Sequence, residues 1–180
     1  ITKFVKKSFA GPLLKKEIDA INLVVKNKKE PVTCIIGGSK ISSKINVITS
    51  LIEKVNNLII VGAMANNFFI YKNYKVGKSL IEENTKEIIK KIYEKANKNK
   101  CKILIPEDCM VGSSFDGYGI NKDLNAIKDN DIILDIGPKT ILNIKDIIDQ
   151  SNTVLWNGPA GYFENENFMI GTMSIAENIS

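Results

Sequence analysis

The amino-acid sequence predicts an α/β protein built on a Rossmann-like parallel sheet with helices on both faces. Short runs rich in β-branched residues alternate along the chain with longer segments whose apolar residues recur at helical spacing. A strand followed by a helix, repeated, is typical of a parallel sheet covered on both sides. The length of 180 residues suits one domain of ordinary size.

The first half of the chain contains two predicted strands and three predicted helices. Residues 32–36 are apolar and lie between Pro31 and Gly37, which favours a strand. The predicted elements are strands over residues 32–36 and 58–61, helices over residues 42–55 and 63–71, and a helix over residues 12–25 with Leu13, Leu14, Ile18 and Ile21 on one side.

The second half contains four predicted strands and three predicted helices. Ser79 and Glu82 have the spacing of a capping box before a strongly amphipathic helix, and Pro138 suits the first position of another helix. The predicted elements are helices over residues 82–97, 138–149 and 168–179, strands over residues 102–105, 109–111, 132–136 and 153–156, and a loop or small hairpin over residues 113–128. Because the chain begins at Ile1 and ends in a helical pattern, we expect a fragment whose sheet is incomplete at its C-terminal edge.

The composition argues against several classes of function. The net charge is +5 and every basic residue is lysine, whereas arginine dominates base-edge contacts, so we expect no nucleic-acid partner. Without histidine the chain holds no Ser-His-Asp triad and no histidine metal site, and we expect no metal ligand within it. No apolar run has the length of a membrane span, so we expect no membrane partner. Cys34, Cys101 and Cys109 are interpreted as buried reduced thiols of a cytoplasmic protein.

Residues 37–44 follow the first predicted strand and read Gly-Gly-Ser-Lys-Ile-Ser-Ser-Lys. Glycines let backbone N–H groups approach a phosphate, and a helix N-terminus favours negative charge. Lys40 and Lys44 are four residues apart and would share one face of a helix. The pattern fits a polyphosphate site, but an ordinary Gly-Gly turn among abundant lysines explains it equally well.

A second glycine-lysine pair, Gly77-Lys78-Ser79, resembles the end of a Walker A loop. The first glycine of that motif would fall at Lys72, and the segment does not follow a predicted strand. We therefore interpret it as an ordinary turn.

The loops after the other strands leave their roles open. Residues 61–65 suit either the close approach of a flat ligand or tight packing of strand against helix, and residues 135–138 suit a turn followed by a helix start. Residues 156–164 combine Asn157, two glycines, Pro159 and Glu164. A carboxylate there could accept hydrogen bonds from ribose hydroxyls or be a solvated or capping group.

Taken together, these loops resemble those of the phosphoglycerate kinase family. WNGPAGYFE at residues 156–164 is similar to the family pattern WNGPxGxFE, IIGGSKISSK at residues 35–44 to its GG-[SA]-K-x-x-x-K loop, and VGAMANNF at residues 61–68 to its GG-[GA]-[MI]-A-x-[TN]-F segment. Four further segments also occur in the family's order: VGKSLIEE, LDIGPKT, FxxGT and AGPLLKKEI. The resemblance runs from about residue 10 to the end. Val61 departs from it, because many members have glycine there.

The resemblance implies an enzyme that transfers phosphate reversibly between ATP and 3-phosphoglycerate in glycolysis, giving 1,3-bisphosphoglycerate and ADP. It covers the family's C-terminal domain, which binds Mg-ATP or Mg-ADP, so residues 1–26 would be an interdomain segment and helix and residues 27–180 part of the nucleotide-binding domain. The family's phosphoglycerate-binding domain and its GGGDT loop, which carries the magnesium aspartate, do not occur in the sequence. We therefore expect the fragment alone to be inactive and the complete protein to be a cytoplasmic monomer.

The resemblance also implies roles for individual residues. Lys40 and Lys44 would contact the phosphates and the phosphoryl group in transit, and Glu164 would bind the ribose. The other nucleotide-binding residues would be Gly38, Ser39, Gly62, Ala63, Leu134, Asn157, Pro159 and Gly161. The alternative is a non-catalytic, truncated nucleotide-binding module; a dinucleotide-dependent dehydrogenase is disfavoured because no GxGxxG follows the first strand.

Overall fold

The computed structural model describes residues 4–26 and 28–180, which form a four-stranded parallel sheet, a three-stranded antiparallel sheet and six α-helices. The strands are β1 (Val32–Ile36), β2 (Asn57–Ile60), β3 (Lys102–Leu104), β4 (Asp108–Gly112), β5 (Ile120–Asp123), β6 (Ile132–Ile136) and β7 (Thr153–Asn157). The helices are α1 (Pro12–Lys26), α2 (Ile45–Ile52), α3 (Ala65–Tyr71), α4 (Lys86–Lys98), α5 (Pro138–Asp149) and α6 (Ile170–Ile179).

The parallel sheet has the strand order β3-β2-β1-β7. All five residues of β1 are buried, as expected for a central strand. Cys34 pairs with Leu58 of β2 on one side and with Leu155 of β7 on the other. The predicted parallel α/β fold is therefore confirmed.

Helices cover both faces of this sheet, as predicted. Alternate residues of β1 point to opposite faces, so Cys34 and Ile36 enter one hydrophobic cluster and Ile35 enters another. The first cluster contains residues of α2, α3 and α4, and the second contains residues of α5 and α6. In parallel sheets covered in this way, ligands bind at the carboxyl ends of the strands.

The strand β6 lies in the second sheet, whose order is β5-β4-β6, and not in the parallel sheet. The strand predicted at residues 132–136 is confirmed, but the strand-helix alternation, which implied a parallel sheet for it, does not hold there. The hairpin of β4 and β5 supplies an antiparallel partner, which pairs Cys109 with Lys122 of β5 and with Ile136 of β6. The predicted extra strand at residues 109–111 is confirmed as part of β4. Residues 113–128, predicted as a loop or small hairpin, contribute one strand, β5, which forms its hairpin with β4.

Two helix starts differ from the sequence-based prediction. Residues Ser42–Lys44 form a 3₁₀ turn before α2, so the regular helix begins only at Ile45. The prediction of a capping box at Ser79 and Glu82 is wrong, because α4 begins at Lys86 and Thr85 at its start makes no side-chain capping bond. Pro138 does occupy the first turn of α5, as predicted. No helix in the described ranges is both long enough and apolar enough to cross a lipid bilayer.

On α1 the apolar side chains of Leu13, Leu14 and Ile18 are exposed. The side chain of Ile21, which we predicted on the same side, lies outside the described residues. The helix itself is confirmed, and among its described side chains Leu13, Leu14 and Ile18 belong to neither core cluster.

Candidate functional site

The loops after β1, β2 and β7 meet at the carboxyl end of the parallel sheet. The amide of Gly37 donates to the carbonyl of Asn157 at 2.8 Å, and the amide of Gly62 donates to the carbonyl of Ala160 at 3.1 Å. The amide of Met64 donates to the carbonyl of Gly38 at 2.9 Å. Backbone hydrogen bonds therefore join three loops that are far apart in sequence into one surface.

Two glycines allow these loops to approach each other. A Cβ atom on Gly37 would lie 2.0 Å from the carbonyl oxygen of Pro159, so no larger residue fits there. Gly62 has a φ of +70°, and a Cβ atom on it would lie 2.7 Å from the amide nitrogen of Gly38. The small residues of the second loop thus serve tight packing and line the site at the same time.

A cavity of about 410 Å³ opens beside the three loops. Its volume lies in the range of small-molecule sites. Eight of the residues that the family resemblance singled out line it: Gly38, Ser39, Gly62, Ala63, Leu134, Pro159, Gly161 and Glu164.

The second sheet and its connections, together with α3 and the segment before α4, supply an apolar wall that the motifs do not reveal. This wall comprises Phe69, Leu80, Pro106, Cys109, Phe115, Ile133 and other apolar residues. Asn165 Nδ2 donates to the carbonyl of Phe115 at 2.8 Å, and the ring of Phe115 lies edge-on to Tyr162 at 5.3 Å. Residue spacing does not reveal these neighbours, because they depend on how the two sheets pack; only the aromatic pair within WNGPAGYFE hinted at a ring-lined edge.

The two candidate lysines lie beside the cavity and do not line it. Lys44 is the last residue of the 3₁₀ turn, and its Nζ donates a hydrogen bond to Asn157 Oδ1. Lys40 precedes the turn, and its carbonyl accepts from Ser43 Oγ at 2.8 Å. The prediction that Lys40 and Lys44 share a helix face is therefore wrong, since Lys40 is not helical. The contact of Lys44 with Asn157 nevertheless brings two predicted site residues together across 113 positions of sequence.

The segment Gly77-Lys78-Ser79 attaches to the edge of β6. Gly77 forms an antiparallel bridge with Ile132, and the amide of Lys78 donates to the carbonyl of Asp131 at 2.8 Å. Ser79 Oγ accepts from the amide of Ile133 at 2.8 Å. The exposed Lys78 side chain therefore belongs to a structural turn, consistent with our rejection of a Walker A loop.

Asp135 is a buried acid on the cavity wall. Its carboxyl group accepts hydrogen bonds from the amides of Ile136 and Gly171 at 2.8 and 2.7 Å. Burial raises the pKa of Asp135 to about 7, although both hydrogen bonds oppose that shift. The group is thus poised to change its protonation state near neutral pH.

The three cysteines are free and buried, as interpreted from the sequence. Cys109 lines the cavity, and burial raises the pKa of its thiol. Burial likewise raises the pKa of Cys34 to about 12 and that of Cys101 to about 11. All three thiols are therefore protonated at neutral pH and poorly nucleophilic.

The fold and the cavity together define an α/β domain with a cavity of small-molecule size at the carboxyl ends of its parallel strands. The family model for phosphoglycerate kinase matches residues 1–180, and the chain belongs to the phosphoglycerate kinase family. It is 44% identical over 181 residues to a phosphoglycerate kinase of Wolbachia pipientis wMel and 40% identical over 182 residues to one of Synechococcus sp.. In both comparisons the alignment covers 100% of this chain and 45% of the relative.

Solved structures give the same assignment. The chain resembles phosphoglycerate kinase from Coxiella burnetii with a TM-score of 0.88 and 35% identity, and the enzyme from Pyrococcus horikoshii with a TM-score of 0.77 and 26% identity. Each match covers 94% of this chain and 44% of the solved one. The chain thus spans less than half the length of these relatives.

Proposed function

We propose that this chain is most of the nucleotide-binding domain of a phosphoglycerate kinase, which transfers phosphate reversibly between ATP and 3-phosphoglycerate. The observation that carries the proposal is the cavity, because eight residues implied by the family resemblance line it together. Residues 1–26 serve as interdomain segment and helix, and residues 27–180 as the nucleotide-binding part. The complete protein is a cytoplasmic monomer; one matched relative, from Volvox carteri, is named as chloroplastic.

In this proposal the nucleotide base occupies the apolar part of the cavity. Gly38, Gly62, Leu134 and Pro159 leave space and apolar surface for a flat ring, and Ser39, Ala63 and Gly161 complete the lining. Glu164 lies at the same cavity and accepts hydrogen bonds from the ribose hydroxyls. Asn157 lies beside the phosphates, since its amide oxygen already contacts the ammonium of Lys44.

The chemistry needs no general base from this chain. The acceptor is a carboxylate, which is ionised at neutral pH and can attack the terminal phosphorus without losing a proton. Phosphoryl transfer depends on positioning and on positive charge around the moving group, which Lys40 and Lys44 supply. The nucleotide enters as its magnesium complex. The family resemblance implies that the aspartate for this magnesium belongs to the GGGDT loop.

Steady-state kinetics on a full-length phosphoglycerate kinase that carries this chain tests the proposal. We expect Lys44→Ala and Lys40→Ala each to lower turnover by roughly 100- to 1000-fold, because charge near the transferred group acts in the transition state. Adenosine affinity, measured by calorimetry, should change little, because neither lysine lines the cavity. Lys78→Ala is the matched control and should behave as wild type.

Two results would contradict the assignment. If Lys78→Ala is severely impaired while Lys44→Ala turns over normally, the phosphate site lies on a different loop. If wild type binds adenosine and ADP but does not transfer phosphate, the chain is a non-catalytic nucleotide-binding module.

A further inference from the structure

The 3₁₀ turn that carries Lys44 receives its N-terminal cap from a distant part of the chain. Ile41 precedes the turn and has no side-chain acceptor, and no side-chain cap bond is made there. The amide of Ser42 instead donates to Glu82 Oε2 at 3.0 Å, across 40 positions of sequence. Amides at a helix start need an acceptor, and a carboxylate is a favourable one.

Glu82 is itself held in place by buried side chains of α3. Its amide donates to Asn67 Oδ1 at 3.0 Å, and Asn67 is almost fully buried. The neighbouring Asn66, also fully buried, donates from Nδ2 to the carbonyl of Leu80 at 2.9 Å. Since α3 follows the loop of Gly62, this chain of contacts connects the second loop of the site to the first.

The charge of Glu82 suits this contact. Hydrogen bonds from Ser42 lower the pKa of the carboxyl group most, and the nearby Lys40 ammonium lowers it further. The group is therefore ionised at neutral pH. Through its bond to the amide of Ser42, this one side chain restrains the start of the 3₁₀ turn.

We propose that Glu82 is a positioning residue that caps residues 42–44 from outside and so holds Lys40 and Lys44 ready for the nucleotide phosphates. The inference rests on the proposed function, and it adds a residue that does not line the cavity. A competing role makes the opposite prediction: a carboxylate that occupies the place of a phosphate would weaken nucleotide binding, and its removal would strengthen it.

The experiment measures the affinities of ADP and adenosine by calorimetry in a full-length phosphoglycerate kinase that carries this chain. We expect Glu82→Ala to weaken ADP binding by about 2- to 30-fold, the effect of one lost helix cap. Adenosine affinity should stay unchanged, which also shows that the variant is folded. Glu82→Gln should recover most of the ADP affinity, because its amide oxygen can accept the same bond from Ser42.

Glu83→Ala is the matched control. Glu83 is the adjacent exposed carboxylate, its side chain makes no hydrogen bond or ion pair within the described part of the chain, and we expect its removal to leave both affinities as in wild type. If Glu82→Ala does not fold, Glu82→Asp replaces it, since its carboxylate is one methylene too short to reach Ser42; the same selective loss of ADP affinity is then expected.

Three outcomes would overturn the inference. Tighter ADP binding by Glu82→Ala would assign the competing role, and ADP affinity equal to that of Glu83→Ala would show that the cap is dispensable. Equal losses of ADP and adenosine affinity would indicate a merely structural role. In all three cases wild type still binds ADP and the proposed function stands, whereas wild type that binds neither ligand would contradict the proposed function itself.

Discussion

Asp135 couples the cavity wall to the start of α6 through a single carboxyl group. It accepts from the amide of Gly171 in α6 and is only 2% exposed. The pKa of Asp135, raised by burial to about 7, lies far above the ordinary value of 3.8 that it has in an unfolded chain. Between these two values the folded protein holds a proton that the unfolded chain has released, so this group stabilises the fold at low pH and loses that effect as the pH rises through 7.

The variant Asp135→Asn should remove this pH dependence, because an amide does not titrate. From pH 5 to pH 8, the free energy of unfolding of the variant should rise by about 2–3 kcal/mol relative to that of wild type. Urea denaturation at both pH values measures it, with Asp116→Asn on an exposed loop as control. A difference that stays constant, or moves towards wild type, would show that the two backbone amides keep Asp135 ionised throughout.

At the scale of single elements, the turn after β1 depends on a contact between two backbones. The Cα of Gly37 faces the carbonyl oxygen of Pro159 so closely that even a methyl group collides with it. We expect Gly37→Ala to force apart the loops after β1 and β7, to cost roughly 1–3 kcal/mol or more of stability, and to weaken ADP binding.

Chemical denaturation and calorimetry check this prediction against a second glycine. At Gly11 an added Cβ would meet nothing within 4 Å, so Gly11→Ala should leave both quantities near their wild-type values. Wild-type ADP affinity in Gly37→Ala would mean that the loops can separate without loss of the site.

Most elements could be predicted from the sequence because their patterns are local. The strand at residues 32–36 and the helix beginning at Pro138 depend on neighbouring residues, and both have the predicted bounds. The capping box predicted before α4 does not form, since Ser79 Oγ accepts from Ile133 and the Glu82 carboxylate accepts from Ser42, partners more than 35 positions away. The same pattern of residues therefore fitted a local cap and a tertiary contact equally well.

At the scale of the whole molecule, the division into two sheets could not be predicted. The sequence of β6 followed by α5 reads like another unit of the parallel sheet, yet β6 pairs antiparallel to β4. Periodicity shows which residues are buried and carries no information on strand direction. For the same reason the glycine-rich half of the cavity followed from motifs, whereas its apolar wall, with Phe115 and Cys109, required the packing of the second sheet.

The pairing of β1 with β7 constrains the order in which parts of the protein can fold during translation. Val32 is aligned with Thr153, so this edge of β1 can pair only after about 120 further residues have been synthesised. Their synthesis takes roughly 6–24 s at ordinary rates of translation. The carbonyl of Asn157 that receives the amide of Gly37 appears later still. When only the residues up to Asp149 have emerged from the ribosome, we expect a protease to cut the chain rapidly near β1. Once residues 153–164 have also emerged, we expect the chain to resist cleavage there. Equal resistance in both would mean that pairing with β2 alone protects β1 from the protease.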